Sequence, residues 1–258
     1  MTYNAFRKLF FALTVFSVAL SFEFNTAWGQ CTIINNELVL SNNEIKKIVL
    51  KKIKKLHSQF KLKNHTSSFS IIIADEKEKI NHKYWDWSIG ITFSNPEKII
   101  IKNPAFAHIS LKRFQQVLEH ELNHIMINRV DKNKTIPRWF KEGFAMYFSD
   151  EISLQQKLEI ANHINNKNLF NILDLETFKN FDKERYTFAY SQSAIYVLYI
   201  EDFFGMGTLN KIFLDMQNGN TFQNAFYANT SKTLEEFNEL SYPFIKNKLK
   251  WYKLITLS

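Results

Sequence analysis

The first sustained period along the chain is helical. Ile45, Val49, Ile53, Leu56 and Phe60 recur every three or four residues, with lysines opposite, and predict an amphipathic helix over 41–60. Ser41 and Glu44 stand at capping-box spacing at its start. The period then shortens. "SFSIIIAD" reads as a buried strand, and "WSIGITFSNPEKIIIKN" as two strands around the turn Ser94-Asn95-Pro96-Glu97. From Ser110 to about Arg129 the helical period returns. "DKNKT" is a polar loop, and Pro137 suits the first turn of a second helix, "PRWFKEGFAMYF". "SLQQKLEIANHI", "FAYSQSAIYVLYIEDFF", "LNKIFLDMQ" and "TLEEFNELSYPFIKNKLKWY" read as further helices. The expected fold class is therefore α+β. A small α/β N-terminal lobe with a short mixed sheet (30–130) precedes a mainly helical C-terminal lobe (131–258).

The first 29 residues have a different pattern. Arg7 and Lys8 precede the apolar run "LFFALTVFSVAL", and "SFEFNTAWGQ" then turns polar. This is the order of a secretory leader, and Ala27 and Gly29 place its cleavage before Gln30. The run falls short of the roughly 20 residues a membrane span needs. An uncleaved anchor is the alternative, and a lipoprotein is disfavoured because Gln30 precedes Cys31. A secreted or periplasmic location is expected, with no stable membrane span after leader removal.

Composition narrows the picture further. At 258 residues, with 45% hydrophobic and 22% charged, the chain is globular and long enough for one large core or two lobes around a cleft. The formal charge of +8 is spread over many separate lysines, without a basic block or a nucleic-acid motif, and reads as a solvated basic surface. Cys31 is the only cysteine, which excludes an intrachain disulfide and a cysteine-rich zinc site.

The chemistry concentrates in "EHELNHIMINR". His120 and His124 lie four residues apart on the expected helix, so their rings project from nearly the same face one turn apart. Two imidazoles so placed can bind one zinc, and Glu121 lies within reach of a water on that metal. With 7 histidines and 17 glutamates, H-E-x-x-H arises by chance in about one such sequence in a hundred. A metzincin would need glycine at 127 and histidine at 130, where Ile127 and Val130 stand. Glu142, eighteen positions after His124, is the candidate third ligand, with Asp131 and Glu151 as substitutes. An unpaired charge among Phe140, Phe144 and Met146 would be costly, and a cation would resolve that cost. Gly143 removes a side chain where the second helix would approach the first.

H-E-x-x-H followed by W-F-x-E-G-F-A resembles the gluzincin zinc metallopeptidases, and within them the aminopeptidase-type clan and the small peptidase MA-like domains. "AYSQSAIYVLYIEDFFG" is similar to that clan's tyrosine-bearing helix, so the likeness extends roughly from Ser68 to the C-terminus. The resemblance implies a thermolysin-like zincin architecture, Zn2+ held by His120, His124 and Glu142, Glu121 as general base, and Tyr190 as hydrogen-bond donor to the oxyanion. Two departures stand out. The clan's G-x-M-E-N stretch carries a glutamate that captures a free amine, whereas "GITFSN" from Gly90 has none, which favours internal cleavage. The clan's lysine and glycine after the tyrosine are replaced by Gln192 and Ser193.

The expected function is that of a secreted zinc endopeptidase acting on protein or peptide substrates, with the strand at Gly90 to Ser94 available to pair with extended substrate backbone. The alternatives are a non-catalytic binding module on a metallopeptidase scaffold, against which Glu121 argues, and a zinc hydrolase of another bond.

Overall fold

The computed structural model of the chain describes residues 20–35, 39–63, 66–75, 88–165, 168–179, 181–205 and 207–255. Five strands form one mixed sheet: β1 (Leu20–Thr26), β2 (Gly29–Asn35), β3 (Phe69–Ala74), β4 (Gly90–Ser94) and β5 (Glu97–Lys102). Their order is β1-β2-β3-β5-β4. The β2–β3 and β3–β5 pairs are parallel, and the pairs at either end are antiparallel. The fold is α+β, as the pattern predicts.

The sheet begins before the expected leader ends. Leu20 to Thr26 pair along their whole length with Asn35 to Gly29, so residues 20–28 form β1 and its turn, and Gly29 opens β2. Trp28 in that turn is buried. Its carbonyl accepts a 2.6 Å hydrogen bond from Arg129, which also pairs with Glu97 and donates to the Ser67 carbonyl. One buried guanidinium thereby ties the β1–β2 turn, the approach to β3 and the start of β5 to the end of a helix.

Alternation decides which sheet face is covered. Cys31, Ile33, Ile71, Ile73, Ile99 and Ile101 point into the main core. They share it with the stripe of α1 (Asn42–Phe60) and with Phe114, Leu118, Leu122 and Ile125 of α2 (Leu111–Val130). The capping box of α1 is present at Ser41 and Glu44. Lys52 departs from that helix's solvated basic face: it is buried, donates to the Phe148 carbonyl at 2.6 Å and lies 3.5 Å from Glu119.

The remaining helices are α3 (Arg138–Phe148), α4 (Leu154–Asn165), α5 (Lys183–Phe204), α6 (Thr208–Gln217), α7 (Phe222–Thr230) and α8 (Leu234–Ile255). They pack through aromatic contacts, with Trp139, Phe140 and Phe144 of α3 against Tyr196, Phe213, Phe222 and Phe237. The close approach expected at Gly143 is to α5 rather than α2. A Cβ there would lie 2.3 Å from the Ser193 carbonyl oxygen, so only glycine lets α3 and α5 touch backbone to backbone. No helix among the described residues is long and apolar enough to cross a membrane.

Candidate metal centre

Helix α2 supplies the first half of the site. Ser110 caps it by accepting from the Arg113 amide, and its apolar residues seat it under β4 and β5. Of its polar residues, Arg113, His120, Glu121, His124 and Asn128 face a cleft of about 640 Å³ between β4, α2, α3 and α5. His120 and His124 stand there one turn apart, their Nε2 atoms separated by 3.1 Å.

The loop after α2 turns the second half toward the first. Asp131 accepts from the Thr135 and Ile136 amides at 2.7 and 3.2 Å and pairs with Lys141 at 2.8 Å. Its oxygens hold the loop, and the residues gathered about the two histidines do not include it. Pro137 is the N-cap of α3 rather than a residue of its first turn. Asn123 then ties the helices side by side, donating to the Ala145 carbonyl at 3.0 Å.

This packing carries Glu142 to the histidines. Its Oε2 lies 3.6 Å from Nε2 of His120 and 3.3 Å from Nε2 of His124. Donors about 2.0–2.1 Å from a tetrahedral zinc stand about 3.3–3.4 Å from one another. The three separations scatter around that value, so the donor set fits a zinc-sized cation. His120, His124 and Glu142 are also the group that could hold a metal ion among the described residues.

Glu151 has a different place from the substitute ligand considered on sequence. Its Oε1 accepts from Nδ1 of His120 at 2.8 Å and from Ser149 at 2.7 Å, while Oε2 pairs with Arg113 at 2.8 Å. With Nδ1 engaged as a donor, the Nε2 lone pair of His120 is left for a metal. The charges perturb one another accordingly. Burial alone would lower the His120 pKa, but the Glu151 and Glu142 carboxylates outweigh it and raise it well above the histidine range. Burial alone would raise Glu142 and Glu151, yet the imidazoles, helped at Glu151 by Arg113 and Ser149, hold both far below the usual carboxylate range.

Glu121 faces the cleft beside His120, with its carboxylate 2.6 Å from the Thr92 hydroxyl of β4. Tyr190 of α5 lines the opposite wall, where its hydroxyl accepts from Arg138 at 3.3 Å. Burial, followed by the nearby Glu142 carboxylate, pushes its phenol far above the ordinary value, so it stays a neutral donor. Arg138 itself lies 3.5 Å from the second oxygen of Glu142, and its guanidinium rests over Phe178 and Tyr186. Gln192 and Ser193, where the resemblance breaks, are buried away from the cleft. Gln192 clamps both backbone groups of Phe170, and Ser193 meets Gly143.

Sequence reasoning missed Thr92, Arg113 and Arg138 at this site. Their signal is spatial: Thr92 and Arg113 touch Glu121 and Glu151 far along the chain, and Arg138, one turn from Glu142 on α3, reaches across to Tyr190 of α5.

A search of curated proteins gives no match to the chain. Residues 49–247, which span α1 to α8 and include every residue of the cleft, match the family model of the peptidase MA superfamily. A match over most of the chain, on a fold that gathers H-E-x-x-H and a later glutamate in one cleft, means that this chain belongs to the peptidase MA superfamily.

Proposed function

We propose that the chain is an exported zinc endopeptidase. The observation that carries this reading is Glu121, a buried carboxylate turned into the cleft beside three converging donors. A metal held only for structure needs no such base. His120, His124 and Glu142 would hold the zinc, which when bound supplies Lewis acidity and an acidified water.

The chain's own residues do the remainder. Glu121 takes the proton of the attacking water and hands it to the leaving amine. Tyr190 donates to the peptide oxygen as it gains charge, and Arg138 donates to the phenol oxygen, which leaves the hydroxyl proton free for that contact. Glu151 fixes His120 in the tautomer that ligates. Among the described residues β4 is an edge strand, and extended peptide backbone would add to it above the two histidines. The described wall of β4 offers no acid to capture a free amine, which supports cleavage inside a chain.

The test compares zinc-loaded wild type with Glu121→Gln on internally quenched peptides blocked at both ends. The wild type should cleave, and the variant should keep its zinc and lose activity by 10²–10⁴-fold or more. Equal activity in the two would remove the mechanism, and cleavage only of unblocked peptides would make it an exopeptidase.

A further inference from the structure

β4 does more at this site than offer an edge. Its side chains alternate, and Gly90 and Thr92 both face α2 at Glu121. The single hydroxyl proton of Thr92 has two acceptors in reach, the Glu121 carbonyl at 3.1 Å and Glu121 Oε2 at 2.6 Å. The shorter contact to a charged group takes it. Oε2 is thereby tethered to β4, which fixes the orientation of the whole carboxylate, Oε1 included.

Gly90 makes room for that arrangement. A Cβ there would lie 2.9 Å from Cγ and from Oε1 of Glu121, and 2.9 Å from Val117 on the same helix. Any side chain at 90 would push the carboxylate out of its seat.

The backbone of the same residue points elsewhere. The Lys102 amide donates to the Ile89 carbonyl, which makes 89 and 102 a hydrogen-bonded pair of the antiparallel ladder. By alternation, Ile91 and Phe93 also turn their backbone groups to β5, while Gly90, Thr92 and Ser94 turn theirs to the outer edge. Thr92 thus sits where an added peptide strand would hydrogen-bond, with its side chain on the base.

We infer that Thr92 is a positioning residue that fixes the general base Glu121 from the same strand that registers the substrate backbone. One residue then sets both the peptide's register and the carboxylate that activates the water, so the distance between them is held within a single peptide unit. The inference rests on the peptidase reading above.

Thr92→Val keeps shape and strand propensity and removes the hydroxyl. Loss of a hydrogen bond to a charged group should lower kcat roughly ten- to a hundredfold. KM for blocked peptides should stay within about twofold, because the backbone groups on the edge are unchanged, and zinc content should stay at the wild-type level. Thr92→Ser restores the hydroxyl and should recover most of the rate. Gly90→Ala should also lower kcat with zinc retained. Wild-type kcat in Thr92→Val, with Glu121→Gln inactive, would overturn this inference and leave the peptidase reading standing. A serine variant as slow as the valine one, or a raised KM at unchanged kcat, would overturn it as well, by assigning the effect to packing or to strand geometry. Zinc-loaded wild type that cleaves no peptide would remove the peptidase reading itself, and this inference with it.

Discussion

Replacing Glu151 by glutamine should weaken zinc binding without touching a ligand. The carboxylate serves two sides at once, accepting from His120 and Ser149 on Oε1 and from Arg113 on Oε2. An amide of the same size has one acceptor and one donor end. If its carbonyl keeps His120 and Ser149, its NH2 meets the Arg113 guanidinium, donor against donor. If it flips to satisfy Arg113, its NH2 faces Nδ1 of His120 and favours the tautomer that protonates Nε2, the atom nearest Glu142 and His124. Both arrangements lose one charge-assisted contact, and the second also competes with the metal.

Partners of this kind behind a metal-bound histidine are typically worth 10–100-fold in affinity, or about 1.4–2.7 kcal/mol. Competition against a chromogenic chelator should show the zinc Kd of Glu151→Gln raised by that factor, with one site per chain retained. The structure adds a sharper expectation. Removing Arg113 as well leaves the amide's NH2 facing the cleft and its carbonyl free for His120, so Arg113→Met should partly rescue Glu151→Gln. The two changes should be non-additive in a double-mutant cycle. A Glu151→Gln Kd within twofold of wild type would refute the argument, and so would strictly additive effects of the pair.

Tyr190→Phe should lower kcat roughly 10²–10³-fold, the range for one oxyanion donor, with zinc content unchanged; an unchanged kcat on blocked peptides would remove Tyr190 from the reaction. Lys52 should give the fold a pH dependence: burial, only partly offset by Glu119, lowers its pKa from 10.5 to about 8. Between those values the unfolded chain binds more protons, so stability should rise with pH by up to about 3 kcal/mol. Lys52→Met should flatten that rise in urea melts at pH 7.5 and 10, and parallel curves would refute it. If the chain is exported, the mature N-terminus should fall before Leu20 rather than Gln30, since Ser17 and Ala19 supply the small-residue pair and the cut then spares β1. N-terminal sequencing of the exported protein decides this, and a start at Gln30 would mean that the sheet forms without β1.

The legible parts of this protein are those whose signal lies within one element. The capping box and stripe of α1, the isoleucine strands and the i, i+4 histidines each declare themselves over a few neighbouring residues. Glu142 was reachable as well, because a short loop and two packed helices leave a charge among phenylalanines few places to go. β1 was hidden by its neighbour in sequence. "SFEFNT" alternates as an edge strand should, but it follows an apolar run and precedes small residues, so the same letters fit the polar end of a leader. Local pattern does not reveal the pairing; it is held by contacts such as that of Arg129, a hundred residues away, whose guanidinium meets the carbonyl of Trp28.

The site's supporting residues follow the same logic one level further in. A ligand must be histidine or a carboxylate, so its chemistry narrows the search before the fold is known. A residue that orients a ligand or base needs only a hydroxyl, a second carboxylate or a guanidinium, and many positions offer one. Thr92, Glu151 and Arg138 acquire meaning only when β4, the turn after α3 and the first turn of α3 converge on one cleft. Each joins two elements that the chain visits far apart, and each holds in place a group that the sequence could already name. The candidate ligands and base were therefore readable from α2 and α3 alone, whereas the contacts that hold them in place belong to the sheet edge and loops packed around them.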